Sequence, residues 1–219
     1  MSAAPAVAGL LLAAGAGRRM GGPKALVELD GEPLVRRGIR LLVDSGCAPV
    51  VVVVGASADR VRALCDGAQV VEAADWATGM GASLRAGLTA LAGAEPVPDA
   101  CVVALVDQPR VTVEAVRRLR AASADGAAVA VASYGGRSRN PVLLGRASWA
   151  GVAAAAQGDE GARPWLRAHP DQVVAVDCSD TGAPDDVDTP DELAALVREH
   201  APAGPRSQTS PAPRREAAR

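Results

Sequence analysis

Short apolar runs alternate with amphipathic stretches along most of the chain. Val7 to Ala13 is almost wholly apolar and ends in glycines, which suits a strand covered on both faces. Pro33 to Ser45 places Leu34, Val35, Ile39, Leu41 and Leu42 on one side, with Arg36, Arg37 and Arg40 among them. Pro33 in the first turn and Gly46 beyond the end complete the prediction of a helix. Val50 to Val54 is a run of valines, the strongest strand signal in the chain, because β-branched side chains suit a pleated surface. Ser57 stands where it can cap a helix from Ala58 to Cys65. Gly81 to Leu91 reads as helix, Cys101 to Val106 as strand, Val113 to Ala122 as helix behind Thr112, and Ala127 to Ala132 as strand.

Apolar strands alternating with amphipathic helices predict an α/β fold, a mostly parallel sheet covered on both faces. Ligands in such sheets bind outside the carboxyl ends of the strands, so the chemistry is sought in the segment just beyond each strand. Beyond Tyr134 the pattern loosens. Gly135 to Pro141 is turn-like, Val142 to Leu144 is a short strand candidate, and Gly158 to Pro164 is a polar loop inside a helical region. Val173 to Val176 is the last strand candidate. Thr189-Pro190-Asp191-Glu192 is a capping box with proline in the first turn, opening a helix to about Glu199. Residues 201–219 contain four Pro, four Arg and no Leu, Ile, Val or aromatic residue, too little apolar surface to offset ordering entropy. The expected organisation is therefore one domain over residues 1–200 followed by a solvated, disordered tail.

Composition narrows the classes. A chain of 219 residues with 49% hydrophobic and 22% charged residues and a net charge of −2 is globular. With no Phe and 2% aromatic residues, its core must be built from Ala, Val and Leu. A near-neutral chain poor in base-stacking rings is a poor nucleic-acid binder. Cys47, Cys65, Cys101 and Cys178 lie far apart beside only two histidines, which encodes neither a zinc site nor a disulfide framework; buried thiols are expected, Cys47 and Cys101 foremost. Ala6 to Ala16 resembles the apolar part of a secretory signal, but its basic residues, Arg18 and Arg19, come after it rather than before it. No run has the length of a membrane span. The expected setting is cytoplasmic. One skew remains: of 23 basic residues only Lys24 is lysine.

Lys24 closes the glycine-rich stretch after the first strand, Gly15-Ala16-Gly17-Arg18-Arg19-Met20-Gly21-Gly22-Pro23-Lys24. As a dinucleotide fingerprint it fails at Met20, at Pro23, and at the second strand, which runs into Gly55 without a ribose-binding acid. As a P-loop it fails because Pro23 separates Gly22 from Lys24 and Ala25 comes next. It does suit a loop whose amides, with Arg18, Arg19 and Lys24, surround a triphosphate. Glycines let the backbone approach phosphate oxygens, and clustered cations favour the charge that develops on a leaving pyrophosphate.

Leu11 to Val35 resembles the signature L-A-[AG]-G-x-x-x-R-M-G-x-x-K-x-L of the molybdenum-cofactor nucleotidyltransferases, the MobA-like branch of the nucleotide-diphospho-sugar transferase fold. The similarity extends through Gly79 to Leu88, Leu105 to Pro109, Asn140 to Leu144, Gly158 to Arg163 and Asp186 to Leu193. The resemblance implies a Rossmann-like three-layer sandwich. It also implies that Leu12, Ala13, Ala14, Gly15 and Gly17 contact the nucleotide, that Arg18 and Lys24 hold its phosphates, and that Gly79, Gly81 and Ser83 lie along base and ribose. Asp107 would ligate Mg²⁺, with Asp188 as the second metal carboxylate. In this family the second half of the chain usually forms the acceptor side, which makes Asn140 and Arg163 candidates there.

The implied reaction transfers a nucleoside monophosphate to a small phosphorylated acceptor such as molybdopterin, with a molybdoenzyme as a candidate protein partner. Phosphate is already an anion at neutral pH, so no nucleophilic side chain or general base is required, which fits a sequence without a Ser-His-Asp set. Leu12-Ala13-Ala14-Gly15 and Asp107-Gln108-Pro109 resemble the cytidylyltransferase variants and point to CTP. Two other readings stand beside this one. The family includes NAD(P)H-dependent reductases of quinone-like dyes such as nicotine blue, for which Gly15-x-Gly17 would be the cofactor loop. A non-catalytic nucleotide-binding assembly factor for a molybdoenzyme is the other.

Overall fold

A computed structural model describes residues 4–200; the expected tail over 201–219 lies outside the described residues. The chain runs β1 (Val7–Leu12), a two-stranded ribbon of β2 (Glu28–Leu29) and β3 (Glu32–Pro33), α1 (Leu34–Asp44), β4 (Val50–Val54), α2 (Ala58–Arg62) and β5 (Gln69–Glu72). It continues through α3 (Met80–Ala92), β6 (Ala100–Leu105), α4 (Val113–Ala124), β7 (Val129–Tyr134), β8 (Arg137–Gly145), α5 (Trp149–Ala155), α6 (Arg163–Ala168), β9 (Val173–Asp177) and α7 (Pro190–His200). Seven strands form one sheet in the order β5-β4-β1-β6-β8-β7-β9. Every neighbour pair is parallel except the two made by β8, which is antiparallel to both β6 and β7.

Both faces of the sheet are covered, as the unbroken apolar runs predict. Along β1, Val7 and Leu11 point to one layer and Ala8, Leu10 and Leu12 to the other. On the first face, Val52, Val54, Val102 and Ala104 join Val35, Ile39 and Leu42 of α1 and Val116 and Leu119 of α4. On the second, Val51, Val53, Cys101 and Val103 meet Leu84, Leu88 and Leu91 of α3, and Trp149 and Val152 of α5. Fully buried Leu10 and Leu11 each contribute about 1.5–3 kcal/mol through the apolar surface they remove from water. All four cysteines are free and buried, and burial pushes the Cys47 thiol up to about 11. Among the described residues no helix is long and apolar enough to cross a membrane.

Several local expectations are corrected. Ser57 sits at the start of α2 in a left-handed conformation and makes no side-chain capping bond, and the helix stops at Arg62 rather than Cys65. The stretch expected to be a turn contributes only Gly135 and Gly136 to one; Arg137 to Pro141 belong to β8, which extends beyond the expected Val142 to Leu144. The capping box is present: Thr189 Oγ1 accepts from the Glu192 amide at 3.3 Å, and Glu192 Oε2 accepts from the Thr189 amide at 2.9 Å.

The sheet places the site. From β1 the chain moves outward to β4 and β5, then crosses to the other side of β1 to lay down β6. Two neighbouring parallel strands whose connections leave in opposite directions open a crevice at their carboxyl ends. That crevice lies between the segments after Leu12 and after Leu105, where the glycine-rich loop and Asp107 begin. A smaller apolar cluster, Leu29, Leu34, Val187 and Leu196, fastens α7 and the segment before it onto the ribbon and α1 beside this crevice, with Met20 of the loop packed against it.

Candidate nucleotide site

The loop leaving β1 is shaped by its own backbone. Gly17 has φ +58°, and its carbonyl accepts from the amides of Met20 at 2.9 Å and Gly22 at 3.1 Å. A Cβ there would lie 1.9 Å from the Gly22 carbonyl oxygen, so only glycine closes the loop in this form. Pro23 then delivers a one-turn 3₁₀ helix, Lys24–Leu26, anchored by buried Ala25.

Lys24 stands at the centre. Its Nζ donates to Asp107 Oδ2 at 2.7 Å and to Asp188 Oδ1, while Arg19 reaches Asp188 Oδ2 at 2.8 Å. Burial pulls the Lys24 ammonium down, but its hydrogen bonds and charge interactions with the two carboxylates more than offset this and hold it above the ordinary lysine value. The hydrogen bond from Lys24 likewise holds Asp188 below the usual carboxylate range. Asp107 comes from the end of β6. Asp188 arrives from the segment after β9, which is tied to Asp107 by a bond from the Val187 amide to the Asp107 carbonyl at 2.8 Å and to α7 by a bond from the Asp188 amide to Glu192 Oε2 at 2.7 Å.

These groups border an open cavity of about 280 Å³. Leu12, Ala14, Gly15, Gly17, Arg18, Lys24, Ser83, Asp107 and Asp188 all line it, together with Arg19, Met80, Leu105 and Val106. Arg18 is exposed and makes no side-chain hydrogen bond or ion pair among the described residues. Three residues singled out in the sequence lie elsewhere. Ala13 is in the core on the α1 side of the sheet. Gly79, at φ +120°, and Gly81 face the loop before α6: a Cβ on Gly79 would lie 2.4 Å from the Gly158 carbonyl carbon, and the Gly81 amide donates to the Gly158 oxygen at 2.8 Å. They let two backbones touch, which holds Gly158 and Asp159 against the start of α3.

A second cavity of about 480 Å³ adjoins the first and shares Leu12, Met80, Leu105 and Asp107 with it. Its other walls include Ser138, Arg139 and Asn140 of β8, and Glu160 and Arg163 before and at the start of α6. Asn140 and Arg163 thus meet in one cavity. Arg139, Met80 and Asp186 were not singled out. Arg139 sat in a stretch read as a turn, and Asp186 in an acidic crowd that a helix N-terminus favours on its own account. Burial raises the Asp186 carboxyl, and the nearby Asp107 charge adds to it.

The pair Asp107 and Asp188 fits a divalent cation. Two carboxylates from separate elements already converge on one positive charge, and Mg²⁺ is commonly held by one or two carboxylates, with substrate phosphates and water completing the shell. Among the described residues no group of three or more His, Cys, Asp or Glu side chains forms a metal cage, so water, or substrate phosphates when bound, would supply the remaining ligands.

The MobA-like NTP transferase domain family matches residues 9–173. Over 203 residues, 88% of this chain and 97% of the relative, the sequence is 38% identical to nicotine blue oxidoreductase of Paenarthrobacter nicotinovorans. Over 210 residues, 90% of this chain and 98% of the relative, it is 37% identical to molybdenum cofactor guanylyltransferase of Burkholderia vietnamiensis. Among solved structures, a Mycobacterium tuberculosis H37Rv protein in complex with manganese superposes with a TM-score of 0.68 at 29% identity, covering 88% of this chain and 98% of that one.

Proposed function

Since the chain belongs to the MobA-like NTP transferase family, a family of nucleotidyltransferases, we propose that it transfers CMP from CTP to a terminal phosphate on a small acceptor such as molybdopterin, releasing pyrophosphate. The observation that carries this reading is the convergence of Lys24, Asp107 and Asp188 beneath a glycine-rich loop at the switch point of the sheet.

Position supports the following roles. The loop amides and Arg18 border the space for the triphosphate, and among the described residues Arg18 has no side-chain partner to give up. Arg19 and Lys24 add positive charge where negative charge moves onto the leaving pyrophosphate. Asp107 and Asp188 would hold Mg²⁺, which would supply positive charge against the phosphates of donor and acceptor. The acceptor enters the second cavity, where Arg139 and Arg163 attract its phosphate and Asp107, shared by both cavities, marks the junction at which the two phosphates meet. Catalysis is then positioning and charge stabilisation, with no protein nucleophile. Ala14 is buried against the nucleotide cavity, and its methyl narrows the base side relative to glycine, which favours a pyrimidine. The guanylyltransferase relative makes GTP the competing donor. Pyrophosphate release with Mg²⁺, a panel of triphosphates and molybdopterin tests the proposal: the expected result is release dependent on CTP and lost in Asp107→Ala. Preference for GTP would overturn the base assignment. Absence of Mg²⁺-dependent nucleotide binding by calorimetry would overturn the transferase reading.

A second reading has one specific support, the 38% identity to a nicotine blue oxidoreductase along nearly all of that enzyme's length. On it, the glycine-rich loop would hold NAD(P)H and the adjoining cavity a flat quinone-like dye. Met20 in place of the third glycine, and β4 running into Gly55 without an acid for the ribose, weigh against it. Oxidation of NADPH by the purified protein with a quinone dye decides: no rate above background removes this reading.

A further inference from the structure

Gln108 is the feature that the roles above leave unused. It stands directly after Asp107 and is 6% exposed. Its Nε2 donates to the Pro184 carbonyl at 2.9 Å and to Asp186 Oδ1 at 2.8 Å, while its Oε1 is buried without a hydrogen-bond partner among the described residues. The orientation of the amide is fixed by chemistry: reversing it would press Oε1 against a carbonyl and a carboxylate, both acceptors. The chain therefore tolerates an orphaned buried oxygen, ordinarily costly, and aims both N–H groups at one segment.

That segment ends in Asp188. It crosses the end of β6 through a short series of bonds: Ala183 amide to Arg110 carbonyl at 3.3 Å, the two bonds from Gln108, and Val187 amide to Asp107 carbonyl at 2.8 Å. The Gln108 amide is the side-chain member of this series. On the reading that Asp107 and Asp188 form a metal pair, we propose that Gln108 is a positioning residue: it braces the 184–188 segment against the Asp107 turn and so sets the spacing of the two carboxylates. Asp186 serves as the hydrogen-bond acceptor for this brace rather than as a third ligand.

Mn²⁺ alone, titrated into the full chain at a temperature well below unfolding and followed by the electron paramagnetic resonance of the free ion, tests the brace. Gln108→Met keeps the volume and removes both donors; Mn²⁺ should bind about tenfold or more weakly than to wild type. Gln108→Asn keeps the amide but withdraws it by one methylene, and carries the same expectation if the methionine variant does not fold. Asp186→Asn retains an acceptor oxygen and should stay within about threefold of wild type. A Gln108 variant that lowers thermal stability but binds Mn²⁺ like wild type overturns the positioning role, as does an Asp186→Asn variant as weak as Gln108→Met. Asp107→Asn and Asp188→Asn should both lose Mn²⁺ binding. If both retain it, the metal-pair reading fails with its brace; if they lose it while Gln108→Met does not, only the brace fails.

Discussion

Lys24 carries two demands in one ammonium group. It balances the charges of Asp107 and Asp188, which would otherwise repel across the crevice, and it stands at the edge of the proposed triphosphate space. A compact ammonium on a flexible stem can meet both, whereas a guanidinium fork is broad and planar. Lys24→Arg is therefore expected to lower kcat/KM about 100-fold in the pyrophosphate-release assay with little change in melting temperature, and full activity would contradict this role. The pH response has a definite sign. Lys24 is held above 10.5, so its contribution to stability is present below that value and fades as pH rises through the raised one. Asp188 is held below 3.8, so its contribution is present above that value and fades as pH falls through the lowered one. The stability difference between wild type and Lys24→Met should thus be flat between about pH 5 and 9, checked by chemical denaturation across that range. Lys24 was legible in the sequence because it is the lone lysine of an arginine-rich chain. Gln108 was legible only as part of Asp107-Gln108-Pro109, read for the choice of base; a bracing role for it has no signal until the segment it holds is seen to cross it.

At the scale of elements, the buried strands and long helices were readable because both layers of the sheet demand apolar residues at every strand position. The elements that escaped did so for identifiable causes. β5 is an edge strand of four residues with exposed polar ends, Gln69 and Glu72, so it lacks the continuous run that marks β4. β8 carries exposed Arg137 and Arg139 in its first half because that half pairs with β7 alone, while β6 reaches only the stretch from Val142 to Gly145. A strand with one open edge is free to use turn-like composition. The start of α7 was legible because its signature is mechanical: the two side chains of the capping box answer each other's backbone amides. Thr189→Ala removes one of those bonds and should cost about 1 kcal/mol, seen calorimetrically as a fall of about 2–4 °C in melting temperature.

Across the whole molecule the sheet divides by strand direction. Its parallel part, β5-β4-β1-β6, ends in the glycine-rich loop and Asp107, while the antiparallel strand β8, with β7 and the approach to α6, walls the adjoining cavity. The parallel part was predictable from pattern alone. The rest depends on side chains meeting from β8 and from a polar loop far apart in sequence, and only the resemblance joined Asn140 to Arg163. This division predicts separable kinetics. Arg163→Ala and Asn140→Ala should each raise the KM for the acceptor about tenfold while leaving triphosphate binding by calorimetry unchanged, and Arg18→Ala should do the reverse. The prediction has force because the two cavities share Asp107 at their junction, so a substitution there must affect both substrates while one in either wall affects a single substrate. If Arg163→Ala weakens triphosphate binding as much as Arg18→Ala does, the second cavity is part of the nucleotide site and the acceptor must approach from elsewhere.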